Sequence, residues 1–143
     1  MAEKKDLSRF VKAQERSFAA ALAELEAGRK RTHWMWYIFP QMKGLGRSET
    51  ARYYAIEDME EAKAFLAHPY LGGNLRRACR ALLGLAANDP LAVMGRPDDW
   101  KLRSCMTLFE AAAPEEEIFA RVLEKYYDGR RDEATLEILE RQK

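Results

Sequence analysis

Apolar residues recur every three or four positions along most of the chain, which is the spacing of a helix with one buried face. The first such stretch begins after Asp6, a suitable N-terminal cap, and ends before Gly28. Its apolar positions are Leu7, Phe10, Val11, Phe18, Leu22 and Leu25. No stretch shows the apolar–polar alternation of a half-buried strand. The pattern therefore predicts an all-α fold.

Helix-breaking and helix-starting residues divide the remainder into further short helices. His68-Pro69 ends a helix that starts at Asp58, and Ser48 caps a short helix. Pro97 stands at the first turn of another helix, and Asp132 caps the last. We predict six or seven short helices in a single domain over residues 1–143, with a disordered N-terminus at residues 1–5.

The segment from Arg29 to Ser48 departs from this pattern, because it holds four large aromatic residues within six positions (Trp34, Trp36, Tyr37 and Phe39). The run is continuously apolar, so a short extended segment near Trp34–Phe39 is an alternative to a helical turn. Six adjacent positions of a helix point in all directions, so these side chains cannot all face one core. We predict that some of them line a pocket.

The charge composition argues against nucleic acid and membranes as partners of the protein. The chain has 24 basic and 23 acidic residues, and a net charge of +1 gives no general attraction to nucleic acid or to anionic membranes. The triplet Arg29-Lys30-Arg31 fits the end of a helix, and a nucleic-acid face would need Arg76 beside it. With a polar N-terminus and no apolar run of membrane-spanning length, we expect a cytoplasmic protein without a membrane anchor.

The sequence contains no recognisable motif for binding a metal ion or a cofactor. The two histidines, His33 and His68, are far apart, and Cys79 and Cys105 do not have the spacing of paired ligands. We predict no metal and no cofactor, and we expect both cysteines to be buried as small apolar residues.

Gly44-Leu45-Gly46-Arg47-Ser48 precedes a helix start, where free backbone N–H groups favour anions. The dinucleotide-binding fingerprint would need a third glycine where Glu49 stands, and the Walker pattern would need a lysine where Arg47 stands. Two interpretations stay open: a general anion site, or a plain turn with Ser48 as an ordinary cap.

A second polar cluster runs from Asp98 to Ser104. Lys101 and Ser104 are three residues apart on one helical flank, where they could hold a phosphate or a carboxylate. The alternative is a solvated face on which Lys101 or Arg103 pairs with Asp98 or Asp99.

Several strings of the sequence together resemble one bacterial family. They are Arg9-Phe10 with Ala13-Gln14, His33 to Gln41, Gly44 to Ser48, Leu66 to Pro69, and Lys101 to Ser104 with Met106 to Phe109. The chain resembles the family called domain of unknown function 1810 over about residues 6–140. The resemblance implies a small, mainly helical fold and no established activity. Members often carry the label calpastatin, which fits poorly because calpastatin repeats are disordered until bound.

Two functions remain open. The first is a binding site, or an enzyme site, for a small anionic, nucleotide-like metabolite in an aromatic and basic pocket. Its ligand-binding residues would be Trp34, Trp36, Gln41, Lys43, Gly44, Gly46, Ser48, Lys101 and Ser104. Its candidate catalytic residues are His33, Glu49 and Asp98. The second is a protein-interaction module without chemistry, since tryptophan and tyrosine beside arginine are typical of binding hot spots.

Overall fold

The computed structural model describes residues 6–143, which form nine helices. The helices are α1 (Ser8–Glu26), α2 (Met35–Ile38), α3 (Glu49–Tyr53), α4 (Met59–Ala67), α5 (Pro69–Gly84), α6 (Pro90–Met94), α7 (Asp98–Ala112), α8 (Glu117–Tyr127) and α9 (Glu133–Arg141). The prediction of an all-α fold is confirmed. The expectation of disorder at residues 1–5 lies outside the described residues.

The helix count exceeds the predicted six or seven because α2, α3 and α6 have only four, five and five residues. A single turn is too short to show a clear periodicity. The alternative of an extended segment near Trp34–Phe39 is wrong, since Met35–Ile38 is helical. In the described part of the chain, an isolated parallel β-bridge pairs Met42, which follows α2, with Ile56.

Side-chain caps explain where many of the helices begin. Ser48 accepts a hydrogen bond from the Ala51 N–H, and Asp132 accepts one from the Thr135 N–H, as predicted. His68 ends α4 and also caps α5 through its Nδ1 atom. Asp6 differs from the prediction: its carboxylate accepts from the Ser8 N–H, but the capping position of α1 is Leu7.

The core lies between α1, α4, α5, α7 and α8, with α5 packed against α1, α4 and α8. A row of phenylalanine rings crosses it. Phe10 on α1 meets Phe65 on α4 edge-on at 5.1 Å, and Phe65 meets Phe109 on α7 at 5.4 Å between ring centroids. Phe119 on α8 continues the row at 6.0 Å. This packing fixes the helices that carry the predicted site residues.

Candidate functional site

The loop after α1 is organised by the carboxylate of Glu24. It accepts hydrogen bonds from the Arg31 N–H at 2.7 Å, from Thr32 through its N–H and its hydroxyl, and from the Trp34 indole N–H at 2.8 Å. Burial raises the pKa of Glu24, but the hydrogen bonds from Thr32, Arg31 and Trp34 outweigh it and bring the pKa to about 2. The carboxylate therefore holds the loop and the Trp34 ring in one place.

Most of the aromatic segment belongs to the core. Trp34, Met35, Ile38 and Phe39 are at most 2% exposed. Their side chains point in different directions, yet each reaches the core, because the chain makes one helical turn and then leaves the helix at Phe39. This corrects the expectation that Trp34 contacts a ligand: its ring is buried, and its N–H is already bonded to Glu24.

Asp98, the first residue of α7, lies between two lysine–tryptophan pairs. We call Lys30, Trp34, Trp36, Asp98 and Lys101 the Asp98 cluster. In its closed half, the Lys30 Nζ lies 2.9 Å from Asp98 Oδ2 and 5.0 Å from the Trp34 ring centroid. Lys30 also donates to the Thr32 carbonyl, and its side chain is only 7% exposed. The closed half is therefore a hydrogen-bonded ion pair in which Lys30 is enclosed and Asp98 is 18% exposed.

The open half of the cluster consists of Lys101 and Trp36. The Lys101 Nζ lies 3.8 Å from Asp98 Oδ1 and 5.6 Å from the centroid of the half-buried Trp36 ring. Its side chain is 25% exposed. Within residues 6–143 the Lys101 ammonium makes no hydrogen bond, so its donors are available to a ligand.

Gln41 and Gly46 join Trp36 around a small cavity that Tyr54 also lines. Its volume is about 10 Å³, which is no more than one water molecule needs. The side-chain amide of Gln41 has no hydrogen-bond partner among the described residues. Trp36 thus belongs to two groups of predicted site residues: Gln41 and Gly46 lie with it around the cavity, and Lys101 beside Asp98 faces its ring.

The protein-family model described as "Protein of unknown function (DUF1810)" matches residues 4–139 of this chain. The chain belongs to the DUF1810 family. The crystal structure of the conserved hypothetical protein Rv1873 from Mycobacterium tuberculosis is similar to it, with 43% identity and a TM-score of 0.93. The match covers 94% of this chain and 96% of Rv1873. No curated protein matches the chain.

Several residues through which the chain resembles the DUF1810 family stabilise the fold. Arg9 donates to the Tyr53 and Ala55 carbonyls at 2.8 and 2.9 Å. Gln14 donates to the Tyr37 carbonyl at 2.8 Å and accepts from Asn74 at 3.0 Å. These bonds attach α1 to the end of α3 and the residues that follow it, to α2 and to α5. Arg9 and Gln14, two residues of the DUF1810 resemblance, thus have a structural role that requires no ligand.

Ser104 does not share a ligand-binding face with Lys101 in this DUF1810 structure. Its buried hydroxyl has a single proton and lies within hydrogen-bond distance of two acceptors, Asp132 Oδ2 at 3.0 Å and the Trp100 carbonyl at 3.2 Å. Both acceptors link the hydroxyl to the fold, the first of them to the start of α9. We interpret Ser104 as a structural residue.

The residues around the glycine pair form a turn on the surface. Lys43 pairs with Glu57 at 3.2 Å, and both side chains are more than half exposed. Gly44 has a φ of +104°, which glycine adopts readily. Ser48 is engaged as the cap of α3. These contacts are those of a surface turn capped by Ser48, and the general anion site stays a prediction.

Of the candidate catalytic residues, only Asp98 lies in the cluster, and both of its carboxylate oxygens face lysines. His33 and Glu49 are exposed, and neither side chain makes a hydrogen bond or an ion pair within residues 6–143. An acid–base pair would need a partner that orients the reacting group. The geometry shows no such pair among these three residues.

Two residues of the region, Glu24 and Lys30, were not identified from the sequence. Lys30 was interpreted as part of a basic triplet, and its burial depends on contact with a distant helix. Arg76 is bonded to Glu116 through two parallel hydrogen bonds, which raise the pKa of the arginine. Lys30 and Arg76, two of the four cations considered for a nucleic-acid face, are thus paired with carboxylates of the fold.

The remaining expectations concern cysteines, metals and membranes. Cys79 and Cys105 are buried, as predicted, and burial raises the pKa of both thiols. Among residues 6–143, no group of three histidine, cysteine, aspartate or glutamate side chains is placed to hold a metal ion. Over the same residues, none of the helices combines the length and the apolar character that crossing a bilayer requires.

Proposed function

We propose that the open half of the Asp98 cluster binds a small, planar, anionic molecule of the nucleotide-like class. The observation that supports it is the position of the Lys101 ammonium, 5.6 Å from the centroid of the Trp36 ring and without a hydrogen bond in the described chain. A cation above an indole offers one contact for an anionic group and one for a ring.

The charges of the cluster favour an anion. Asp98 carries one negative charge, and Lys30 and Lys101 carry two positive charges between them. The short contact of Asp98 is with Lys30, at 2.9 Å, against 3.8 Å to Lys101. Lys101 therefore supplies the uncompensated positive charge, and its ammonium has three donors. A phosphate or carboxylate would complete its coordination.

Trp36 and Gln41 would recognise the uncharged part of the ligand. The exposed part of the Trp36 ring can stack against a planar base, and the Gln41 amide, which makes no side-chain hydrogen bond within residues 6–143, can hydrogen-bond to the polar edge of that base. The neighbouring cavity is too small for such a base, so the ligand would lie across the surface. Most ligand sites enclose far more of the molecule. We therefore expect a dissociation constant near the millimolar end of the range.

We propose binding without turnover. Asp98 is paired with Lys30 at 2.9 Å and faces Lys101 at 3.8 Å, and His33 and Glu49 have no orienting partner in the described part of the chain. A group that removes or donates a proton must be positioned against the reacting atom. The candidate acids and bases do not meet that requirement together.

A thermal-shift titration with AMP, a sugar phosphate and inorganic phosphate tests this proposal. A ligand at about ten times its dissociation constant, roughly 10 mM for a millimolar site, stabilises the folded state by roughly 1.4 kcal/mol. We expect AMP to raise the Tm of the native protein and of the control Lys12→Ala, whose lysine is exposed on α1. Lys101→Ala should remove the increase. An equal increase in Lys101→Ala, or none in the native protein, would contradict the proposal.

A protein-interaction surface is a second candidate, favoured by one observation on α7. Trp100 is 54% exposed, and the Arg96 guanidinium lies 4.2 Å from its ring centroid. Asp99 fixes Arg96 with a bond of 2.9 Å, and Leu91 nearby in the chain is 45% exposed. Rigid tryptophan and arginine side chains are typical of hot spots. A partner bound by native protein and by Lys101→Ala, but not by Trp100→Ser, would support this function instead.

A further inference from the structure

His68 joins α4 to α5, and its imidazole ring caps the N-terminus of α5. The Nδ1 atom accepts hydrogen bonds from the Tyr70 N–H at 3.2 Å and from the Leu71 N–H at 3.3 Å. The His68 carbonyl accepts from the Gly72 N–H at 2.8 Å, and Pro69 has no N–H group. The backbone donors of the first turn of α5 therefore all bond to His68.

The two hydrogen bonds to Nδ1 define the protonation state of the ring. A nitrogen that accepts from N–H groups carries no proton of its own, so the geometry assigns a neutral His68 with its proton on Nε2. A positively charged imidazole has a proton on both nitrogens and cannot accept a hydrogen bond. The hydroxyl of Ser48, which caps α3, accepts at any pH at which the protein is folded. The cap of α5 differs, because one proton removes it.

The described residues offer a protonated ring no ion pair. Four charged side chains line a depression beside the end of α4: Lys63, Arg76, Glu115 and Glu116. Arg76 is bonded to Glu116, while Lys63 and Glu115 are exposed. Within residues 6–143, neither these carboxylates nor the exposed phenol of Tyr70 bonds to the imidazole. A proton on His68 therefore gains no carboxylate partner in exchange for the two hydrogen bonds that it breaks.

The dipoles of the two helices act on the ring in opposite senses. His68 follows the C-terminus of α4, where positive charge is favoured, and precedes the N-terminus of α5, where positive charge is disfavoured. These two effects offset each other. The hydrogen bonds from Tyr70 and Leu71 exist only with the neutral ring, so they decide which form of His68 the folded chain prefers.

We propose that His68 is an acid-sensitive cap, which holds the start of α5 when it is neutral and releases it when it is protonated. Because α5 packs against α1, α4 and α8, release of its first turn weakens contacts with three helices. The folded chain favours the neutral ring, so the unfolded chain binds more protons and stability falls as the pH falls. Histidine changes charge between about pH 8 and 5, so the contribution of the cap is complete above about pH 7 and is lost toward pH 5. The cap does not depend on the function proposed for the Asp98 cluster.

The pH dependence of Tm in two histidine variants tests the proposal. His68→Asn keeps a side-chain acceptor for the cap but does not titrate. Between about pH 7.5 and 5, we expect the Tm of the native protein to fall by about 2–4 °C more than that of His68→Asn. His33→Asn is the matched control, because His33 is exposed and its side chain has no hydrogen bond within residues 6–143. The Tm of His33→Asn should follow that of the native protein.

NMR of ¹⁵N-labelled protein tests the cap itself. Near neutral pH, the ring nitrogen resonances should place the His68 proton on Nε2. As the pH is lowered, the amide resonances of Tyr70 and Leu71 should shift with the same midpoint as the His68 ring, and this shift should be absent in His68→Asn. A His68 proton on Nδ1 at neutral pH, or Tyr70 and Leu71 amides that do not follow the ring, would overturn the proposal. So would Tm curves of the native protein and His68→Asn that fall in parallel.

Discussion

Asp98 has a lysine and a tryptophan on either side, and the two pairs differ in how far the fold encloses them. Lys30 is 7% exposed and bonded at 2.9 Å, whereas Lys101 is 25% exposed and lies 3.8 Å from the carboxylate. Trp34 is buried, and Trp36 is half-buried. The same residue types thus stabilise the fold on one side and leave donors available on the other.

The difference arises from the backbone that carries each lysine. The Lys30 N–H donates to the Val93 carbonyl at 2.7 Å, and Glu24 fixes the residues that follow. These bonds hold the backbone in a position from which the Lys30 side chain reaches Asp98. Lys101 lies on the flank of α7, one turn after Asp98, where the helix meets solvent. Residue type alone therefore does not identify a binding residue in this region.

The largest expected effect separates the two tryptophans. Trp34→Ala removes a fully buried ring and its bond to Glu24, so it should lower the free energy of unfolding by about 3–5 kcal/mol. Trp36→Ala should cost less than half as much, because its ring is only partly enclosed. Urea unfolding of both variants measures the difference. Equal losses would show that the two halves are equally structural.

A smaller effect should separate the two lysines. Lys30→Met leaves Asp98 without its close partner, and we expect a loss of about 2–3 kcal/mol. That value is below the usual cost of breaking a buried pair, since Lys101 remains near the carboxylate. Lys101→Met should change stability by less than about 0.5 kcal/mol. A larger loss for Lys101→Met than for Lys30→Met would reverse the assignment of closed and open halves.

The pH dependence of stability tests the loop that carries the closed half. Glu24 has a folded pKa of about 2 against an ordinary value of 4.5. Because the folded pKa is the lower one, its contribution is complete above about pH 4.5 and is lost as the pH falls toward 2. Native protein should lose stability more steeply across this window than Glu24→Gln. The measurement is the Tm of both proteins as the pH is lowered. If the two Tm curves fall in parallel, the ionised Glu24 carboxylate does not have this role.

Local chemistry made much of the fold predictable. Ser48 and Asp132 cap helices as expected, and α4 ends before His68-Pro69, whereas Pro97, expected in the first turn of α7, is its N-terminal capping position. The prediction for the aromatic segment failed in part because it treated six positions as one helix. The chain leaves the helix after a single turn, so side chains that a longer helix would expose can reach the core.

The candidate site was less predictable than the fold. Pairing of Lys101 with Asp98 follows from their spacing along one helix, and it was one of the open alternatives. Contact of Lys30 with Asp98 joins two distant parts of the chain, and no local pattern encodes it. Likewise, Ser104 has the right spacing for a ligand, but a tertiary hydrogen bond to Asp132 engages it.

The most direct test of the open half uses ¹⁹F NMR of protein labelled with 5-fluorotryptophan. The chain has three tryptophans, so three resonances are expected, each assigned by replacement with phenylalanine. Addition of AMP should move the Trp36 resonance, leave those of Trp34 and Trp100 in place, and have no effect on Trp36 in Lys101→Ala. A shift at Trp36 that survives Lys101→Ala, or no shift at Trp36 at any AMP concentration, would contradict the account.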